Sequence, residues 1–346
     1  MKKILYTLFM ASLLSVACTE EILVSRDHDL DAEVTDIETK MEMTTLYCNL
    51  NDTGAVDLDK LSLYLTAKDA DVVTFVAPAT VSGTSFELWL TDFASANGYA
   101  LVAAQTNKTD GRLTMAAIVK SDLAEAVSLK NDVRHEPPLN NEVLLFSVND
   151  INFVVTEMNE ARNAIPSDWQ SQVATMLKNH KTADIVYDPD VLAERKAEMT
   201  ELLNRTLDKE AMQGAKNWMW CVDMNAPSNV DMKYGMEFRF ADCYDMGDVS
   251  EAEYIKTHHS YFTVEELLTA SDAYFKANDM LVYAGLVDCV AVQHSVYTPT
   301  STDGTRHNFL YSSDGLWNII ESLNVDKSAD WGAYHYPIMV TLKVEE

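Results

Sequence analysis

The sequence predicts an α+β domain in which two mixed β-sheets pack face to face as a sandwich flanked by helices. Three observations carry this. The chain has 346 residues, 47% of them hydrophobic, enough to bury one large core or two modest ones. Roughly ten strand-like runs outnumber the helical segments, and many follow one another directly. Beyond Asp71 the run to Val76 is apolar but for Thr74 and shows no alternation, as a strand covered on both faces should be.

The elements follow in order. Thr44–Leu50 reads as a strand and Leu58–Lys68 as a helix, its apolar residues three and four apart. Ser85–Ala96 reads as a helix stopped by Asn97-Gly98. Strands are expected at Tyr99–Ala104, Leu113–Val119, Glu142–Val148 and Ile151–Thr156, with Asn149-Asp150 turning a hairpin between the last two. Asp188 and Pro189 supply an N-cap and a first helical residue for a helix running to about Leu207. Asn217–Met224 is a strand, Phe262 opens a helix capped by Thr263, and Leu286–Val292, His307–Tyr311 and Tyr336–Val344 complete the strands.

The first residues carry an address. Lys2-Lys3 precede an apolar run from Ile4 to Leu14 and then Ser15-Val16-Ala17-Cys18. A charged start, a short apolar stretch and small residues before a cut site describe a secretory leader, and the run is too short to span a bilayer. Alanine before cysteine resembles a bacterial lipoprotein leader, with Cys18 as the acylated first residue, although Ser15 stands where that motif has leucine. Residues 1–17 are then the signal peptide, 18–42 an acidic tether and 43–346 the domain. Residues 19 to 42 hold nine acids against Arg26 and Lys40, the composition of a solvated segment. Acids directly after the cysteine also resemble the surface-export signal of Bacteroidetes-type lipoproteins. The expectation is an outer-membrane lipoprotein of the cell envelope, held to the membrane through Cys18.

Charge excludes one class of function. With 54 acids against 26 bases the formal charge is −28. Duplex affinity comes mainly from neutralising phosphates with Lys and Arg, and no basic run is present, so a nucleic-acid partner is not expected. Four cysteines remain after Cys18: Cys48, Cys221, Cys243 and Cys289. An even count in an exported chain permits disulfides, with three possible connectivities, and none of the four shows the CxxC spacing of a metal knuckle or redox centre. Cys48, Cys221 and Cys289 lie in apolar, strand-like runs and read as buried thiols.

The most informative segment is Trp218-Met219-Trp220-Cys221-Val222-Asp223-Met224-Asn225-Ala226-Pro227, an apolar strand that ends on Asp-x-Asn and breaks at proline. It resembles the Gly-Asp-x-Asn strand end of the endonuclease/exonuclease/phosphatase superfamily of metal-dependent phosphodiesterases and phosphatases. Other landmarks follow in the family's order from residue 44 onward. Leu46-Tyr47-Cys48-Asn49 matches the first strand, with Asn49 at the family's metal-site asparagine. Asp71–Ala77 matches the second, which in the family ends in Gln-Glu. Phe153–Met158 matches a strand that ends in Thr-His-Leu. The helix around Arg195, Gly285-Leu286-Val287-Asp288 and Arg306-His307-Asn308-Phe309 come next. Ala333-Tyr334-His335-Tyr336-Pro337 stands in place of a terminal Ser-Asp-His-x-Pro.

The resemblance implies a Mg²⁺ site built from oxygen ligands and a carboxylate–histidine pair acting on water. Here Ala77 occupies the place of the principal metal carboxylate, Glu157 that of the middle histidine, Tyr334 that of the acid before the terminal histidine, and Asn308 that of another acid. Asp223, Asn225 and His335 remain as the residual catalytic positions, and Asn49 and Glu157 as an incomplete metal set. Losing a principal ligand or base removes about 4 kcal/mol or more of transition-state stabilisation. The reading is therefore a non-catalytic surface protein without a cofactor, binding a glycan or a protein ligand. Its alternative is a Mg²⁺-dependent phosphoesterase or phosphodiesterase with a rearranged site in which Glu157 is a displaced ligand. Of the aromatic residues late in the chain, Trp220 belongs to a core strand, whereas Trp331 and Tyr334 flank Gly332 in a loop and are the candidate ligand platform.

Overall fold

A computed structural model describes residues 42–51, 56–106, 111–129, 143–158, 188–207, 216–226, 228, 277–294, 298–302 and 304–343. Cys18 with its leader and nearly all of the tether, Cys243 and the helix expected from Phe262 lie outside the described residues.

Each sheet is organised around a parallel pair joined through a helix. In the first, β1 (Met43–Asn49) leads through α1 (Leu58–Lys68) to β2 (Val72–Val76). Asp57 caps α1 by accepting from the Lys60 amide, and Asp69 closes it in the left-handed conformation. A short hairpin, β3 (Thr80–Val81) and β4 (Thr84–Ser85), leads into α2 (Phe86–Ala96). Then follow β5 (Tyr99–Thr106) and β6 (Leu113–Lys120). A 3₁₀ turn, Ser121–Ala126, carries the chain to the second sheet.

There β7 (Val127–Leu129), β8 (Val143–Val148) and β9 (Ile151–Glu157) precede α3 (Pro189–Arg205) and β10 (Trp218–Asp223). Asn149 and Asp150 both take positive φ, 46° and 62°, the signature of a type I′ turn. Asp188 caps α3 from its side chain and Pro189 occupies its first turn. A helical stretch at 277–283 precedes β11 (Leu286–Asp288), α4 (Cys289–His294), β12 (Asn308–Ser313) and α5 (Asp314–Trp317). Finally β13 (Ile320–Val325) and β14 (Ile338–Leu342) return to the first sheet.

The strand orders are β13-β14-β1-β2-β6-β5 and β11-β12-β10-β9-β8-β7. The pairs β1/β2 and β9/β10 are parallel and the other neighbours antiparallel. Both sheets are therefore mixed. Side-chain alternation divides their residues among three apolar layers. Between the sheets, Tyr47, Val72 and Val119 meet Phe146, Phe153, Val155 and Cys221. Outside the first sheet, Leu61, Leu65, Phe86 and Trp89 cover Val73, Phe75 and Ile118. Outside the second, Met199, Leu202 and Leu281 cover Val154, Trp220 and Phe309. Helix, sheet, sheet, helix is the resulting order, with Lys40–Glu346 as one compact unit. At about 1.5–3 kcal/mol per fully buried large apolar side chain, the three layers are the main stabilising term.

Two expectations need correction. Leu286–Val292 is not one strand: it breaks after Asp288, whose Oδ1 accepts from the Ala291 amide and starts a helix at Cys289. So short an apolar run cannot distinguish strand from helix by period. The strand Ile320–Val325 was not expected, because as a sheet edge it buries only Leu323 and Val325. Cys48, Cys221 and Cys289 are buried free thiols. Burial raises all three, with Cys221 pushed up to about 12, so none is a ready nucleophile.

Candidate functional site

The two parallel pairs end at the same side of the sandwich, and the residues singled out in the sequence meet there. Strand β10 is buried along its whole length and hydrogen-bonded on both sides. It ends on Asp223, whose Oδ1 accepts from the Asn225 backbone amide at 3.1 Å, closing an Asx-turn. Asn225 then enters the left-handed region with φ 47°, which asparagine tolerates better than most residues. Its Nδ2 donates to the Met158 carbonyl at 2.9 Å and to Glu157 Oε1 at 3.3 Å. The turn thus clips the end of β10 onto the end of β9, where Asp223 and Glu157 are register partners.

From the opposite sheet, Asn49 at the end of β1 donates through Nδ2 to Asp223 Oδ2 at 2.7 Å and to Asn308 Oδ1 at 3.4 Å. Its Oδ1 accepts from the Asn51 amide at 3.0 Å. Two acceptors on one side and a backbone donor on the other fix which way this amide points. Asn308 donates through Nδ2 to the Tyr336 carbonyl at 3.4 Å. His335 lies with Nε2 3.9 Å from Asp223 Oδ2, beyond hydrogen-bond length. Its Nδ1 is 3.1 Å from the Ser301 hydroxyl, so a neutral group orients the ring. Tyr334 is half-buried and sets its ring edge-on to the imidazole at 4.8 Å.

Burial is nearly complete. Asn49, Asp223, Asn308 and His335 are each 0% exposed and Asn225 is 6%. Behind them Arg306 forms a bidentate pair with Asp288, one bond at 2.9 Å, and lies over the Phe309 ring. This pair joins the two late segments that the sequence marked separately, and it anchors the approach to β12.

The residues present do not fit a hard divalent cation. Ala77 presents a methyl group beside the end of β2 and belongs to the outer apolar layer. Both oxygens of Asp223 already accept from amides. Asn49 turns its nitrogen, not its oxygen, toward the carboxylate. No group of three or more His, Cys, Asp or Glu side chains able to hold a metal occurs among the described residues. A cation of this kind needs several oxygens converging at one point.

The structure therefore brings together Asn49, Glu157, Asp223, Asn225, His335 and Tyr334, but not Trp331. That residue is a correction: it is 0% exposed and packs in the outer layer beside Tyr64, with ring centroids 6.0 Å apart, so it offers no face to a ligand. The sequence suggested a loop because of Gly332; the loop folds its indole inward. Ser301 was missed, since a lone serine in a Thr/Ser-rich segment carries no signal.

No family model matches the sequence, and no curated protein matches it. Solved structures do match. A 3′ phosphatase from Neisseria bound to a product DNA hairpin is similar over 87% of this chain and 100% of its own, at 12% identity and a TM-score of 0.54. An AP endonuclease from Archaeoglobus fulgidus is similar over the same shares, at 15% identity and a TM-score of 0.51. A 3′–5′ exonuclease from Neisseria meningitidis covers 88% of this chain and 100% of its own, at 12% identity and a TM-score of 0.50. The chain has the fold of the endonuclease/exonuclease/phosphatase superfamily.

Proposed function

We propose that the chain is a lipid-anchored envelope protein whose endonuclease/exonuclease/phosphatase-like domain binds a glycan or a protein ligand and does not catalyse phosphoester hydrolysis. The observation that carries this reading is the state of Asp223. The resemblance makes it a water-activating carboxylate, yet here it is buried and held by Asn49 and Asn225, with alanine at position 77. His335 sets Nδ1 3.1 Å from the Ser301 hydroxyl, while the Asp223 carboxylate stands 3.9 Å from Nε2, beyond hydrogen-bond length. The DNA-directed neighbours do not supply a substrate for this chain, whose net charge of −28 opposes a polyanion. With Trp331 buried, Tyr334, half-buried beside His335, is the candidate aromatic contact for a ligand that remains.

The deciding experiment incubates purified mature protein with a panel of phosphomonoesters and phosphodiesters in Mg²⁺ or Mn²⁺. No turnover is expected. Turnover abolished by Asp223→Ala would overturn the reading in favour of a hydrolase with a rearranged site. That second reading draws on the register pairing of Asp223 with Glu157, which sets two carboxylates side by side at adjacent strand ends. The anchor is tested separately. Fatty-acid labelling should mark the wild-type chain and not Cys18→Ala, and the variant should leave the membrane fraction; an unlabelled wild-type chain removes the lipoprotein assignment.

A further inference from the structure

The helix stop Asn97-Gly98 carries chemistry of its own. It is the one Asn-Gly pair in the sequence, and both residues are exposed. Asn97 ends α2 with φ −119° and ψ 19°, its backbone amide donating to the Phe93 and Ala94 carbonyls. Its side-chain Nδ2 also donates to the Phe93 carbonyl, at 2.8 Å. At the other side of the carboxamide, Oδ1 lies 3.2 Å from Thr66 Oγ1. That contact is weak, because a hydroxyl has one hydrogen and Thr66 Oγ1 stands closer, at 2.8 Å, to the Ser62 carbonyl one turn back in α1. In effect a single hydrogen bond holds the Asn97 side chain.

Gly98 supplies the other reactant. Its φ is 73°, and no heavy atom lies within 4 Å of the place a β-carbon would take, so nothing crowds its peptide nitrogen. Its carbonyl accepts from the Ser121 amide at 2.9 Å and hydroxyl at 2.8 Å, which fixes the chain where β5 begins. Its N–H meets no acceptor among the described residues. A side-chain amide and an unhindered backbone nitrogen thus stand next to each other on the surface. Bringing them together needs Asn97 to leave its helical ψ, a movement of the last turn alone, and terminal turns fray. The asparagines of the strand-end site differ on each count: Asn49 and Asn225 are buried, bonded through Nδ2 to two acceptors each, and followed by Leu50 and Ala226.

We propose that Asn97 is a site of spontaneous covalent modification in the folded protein, through a cyclic imide with Gly98. The Gly98 nitrogen gives up its proton and bonds to Asn97 Cγ, the Cγ–Nδ2 bond breaks, and the side-chain nitrogen leaves with that proton as ammonia. Water then opens the imide at either carbonyl. One product is aspartate; the other is isoaspartate, in which the main chain runs through the side-chain carbon. Either way the donor to the Phe93 carbonyl is lost and a negative charge appears at the C-terminal end of α2, whose last turn has no basic residue to offset it. The modified chain is therefore the less stable one. None of this depends on whether the domain binds a ligand or turns over a phosphoester.

Ageing the purified mature protein in warm, mildly alkaline buffer tests it, with peptide mapping by mass spectrometry and enzymatic labelling of isoaspartate. The peptide that spans Asn97 and Gly98 should convert before those holding Asn49 and Asn225. Its rate in the folded protein should stay within about tenfold of its rate in urea, the factor that one net hydrogen bond imposes. Asn97→Gln keeps an amide but lengthens the side chain, so that ring closure is disfavoured, and should remain unmodified; Asn97→Asp copies one product and should melt below the wild type. A folded-state rate under the tenfold limit would overturn the proposal. So would conversion of Asn49 or Asn225 as fast as Asn97, or an isoaspartate signal that persists in Asn97→Gln.

Discussion

Asn49 Nδ2 and Asp223 Oδ2 are 2.7 Å apart, and they are the ends of central strands in two different sheets. Both side chains are fully buried. A carboxylate in such a place is tolerable only while its lone pairs are met, so the bond matters less for what it adds than for what its loss exposes. Asn49→Ala should therefore destabilise the domain by about 3 kcal/mol, read as a lower urea midpoint with an unchanged slope. Asn49→Ala combined with Asp223→Ala should cost less than the sum of the two single changes, because the second removes the charge that the first strands. Strict additivity would mean the two residues do not act on each other.

Divalent ions should leave stability untouched. A ligand present at a hundred times its dissociation constant adds about 2.7 kcal/mol to the folded state, a shift of several degrees that a melting curve shows plainly. With Ala77 at the strand end and no cluster of three or more His, Cys, Asp or Glu side chains able to hold a metal among the described residues, millimolar Mg²⁺, Mn²⁺ or EDTA should move the midpoint by less than about one degree. A rise of several degrees with Mg²⁺, reversed by EDTA, would reveal a cation site that these side chains do not form.

How much of this was legible in the sequence depends on how local the signal is. Asp188-Pro189, Asn97-Gly98 and Asn149-Asp150 act on their own backbone, and the elements they start or stop stand where their chemistry puts them. The layering followed from alternation and from the apolar run of β2, broken only by Thr74. The Asp-x-Asn turn was legible because it needs only its own residues, whereas Asn49, Glu157 and His335 were picked out through the resemblance in motif order. What the set does was not legible. That Asn49 points its nitrogen at Asp223, that Ser301 faces His335, and that Arg306 pairs with Asp288 are contacts between residues 174, 34 and 18 positions apart. Trp331 failed for a related reason: glycine beside an indole says a loop is present but not which way the ring turns.

Trp331 now carries a prediction of the opposite kind from a ligand platform. Its indole is enclosed by the outer layer, and its carbonyl accepts from the Asp57 amide at 2.8 Å at the start of α1. Trp331→Ala should lower stability by about 3–5 kcal/mol, the range for emptying a large aromatic site, with Trp331→Phe costing less. Affinity for any ligand of the folded domain should be unchanged in Trp331→Phe. A variant of normal stability that has lost binding would restore the platform.

The turn after β13 supplies a pH dependence. Asp326 accepts from Lys68 Nζ at 2.6 Å, from the Tyr64 hydroxyl at 3.0 Å, and from the Ser328 amide and hydroxyl at 3.0 and 2.6 Å. Burial alone would raise its carboxyl, but these four donors prevail, Lys68 foremost, and lower it from an ordinary 3.8 to about 2. The folded state therefore releases this proton more readily than the unfolded chain, and protonation favours unfolding. The contribution is fully present above about pH 4 and is lost as the pH falls toward 2. It amounts to no more than about 2 kcal/mol, since Lys68 is partly exposed and salt weakens the pair. Asp326→Asn should lower stability at neutral pH and flatten the acid limb of the stability profile between those values. The two profiles should converge near pH 2, and an acid limb of unchanged steepness in the variant would show that the carboxylate contributes nothing there.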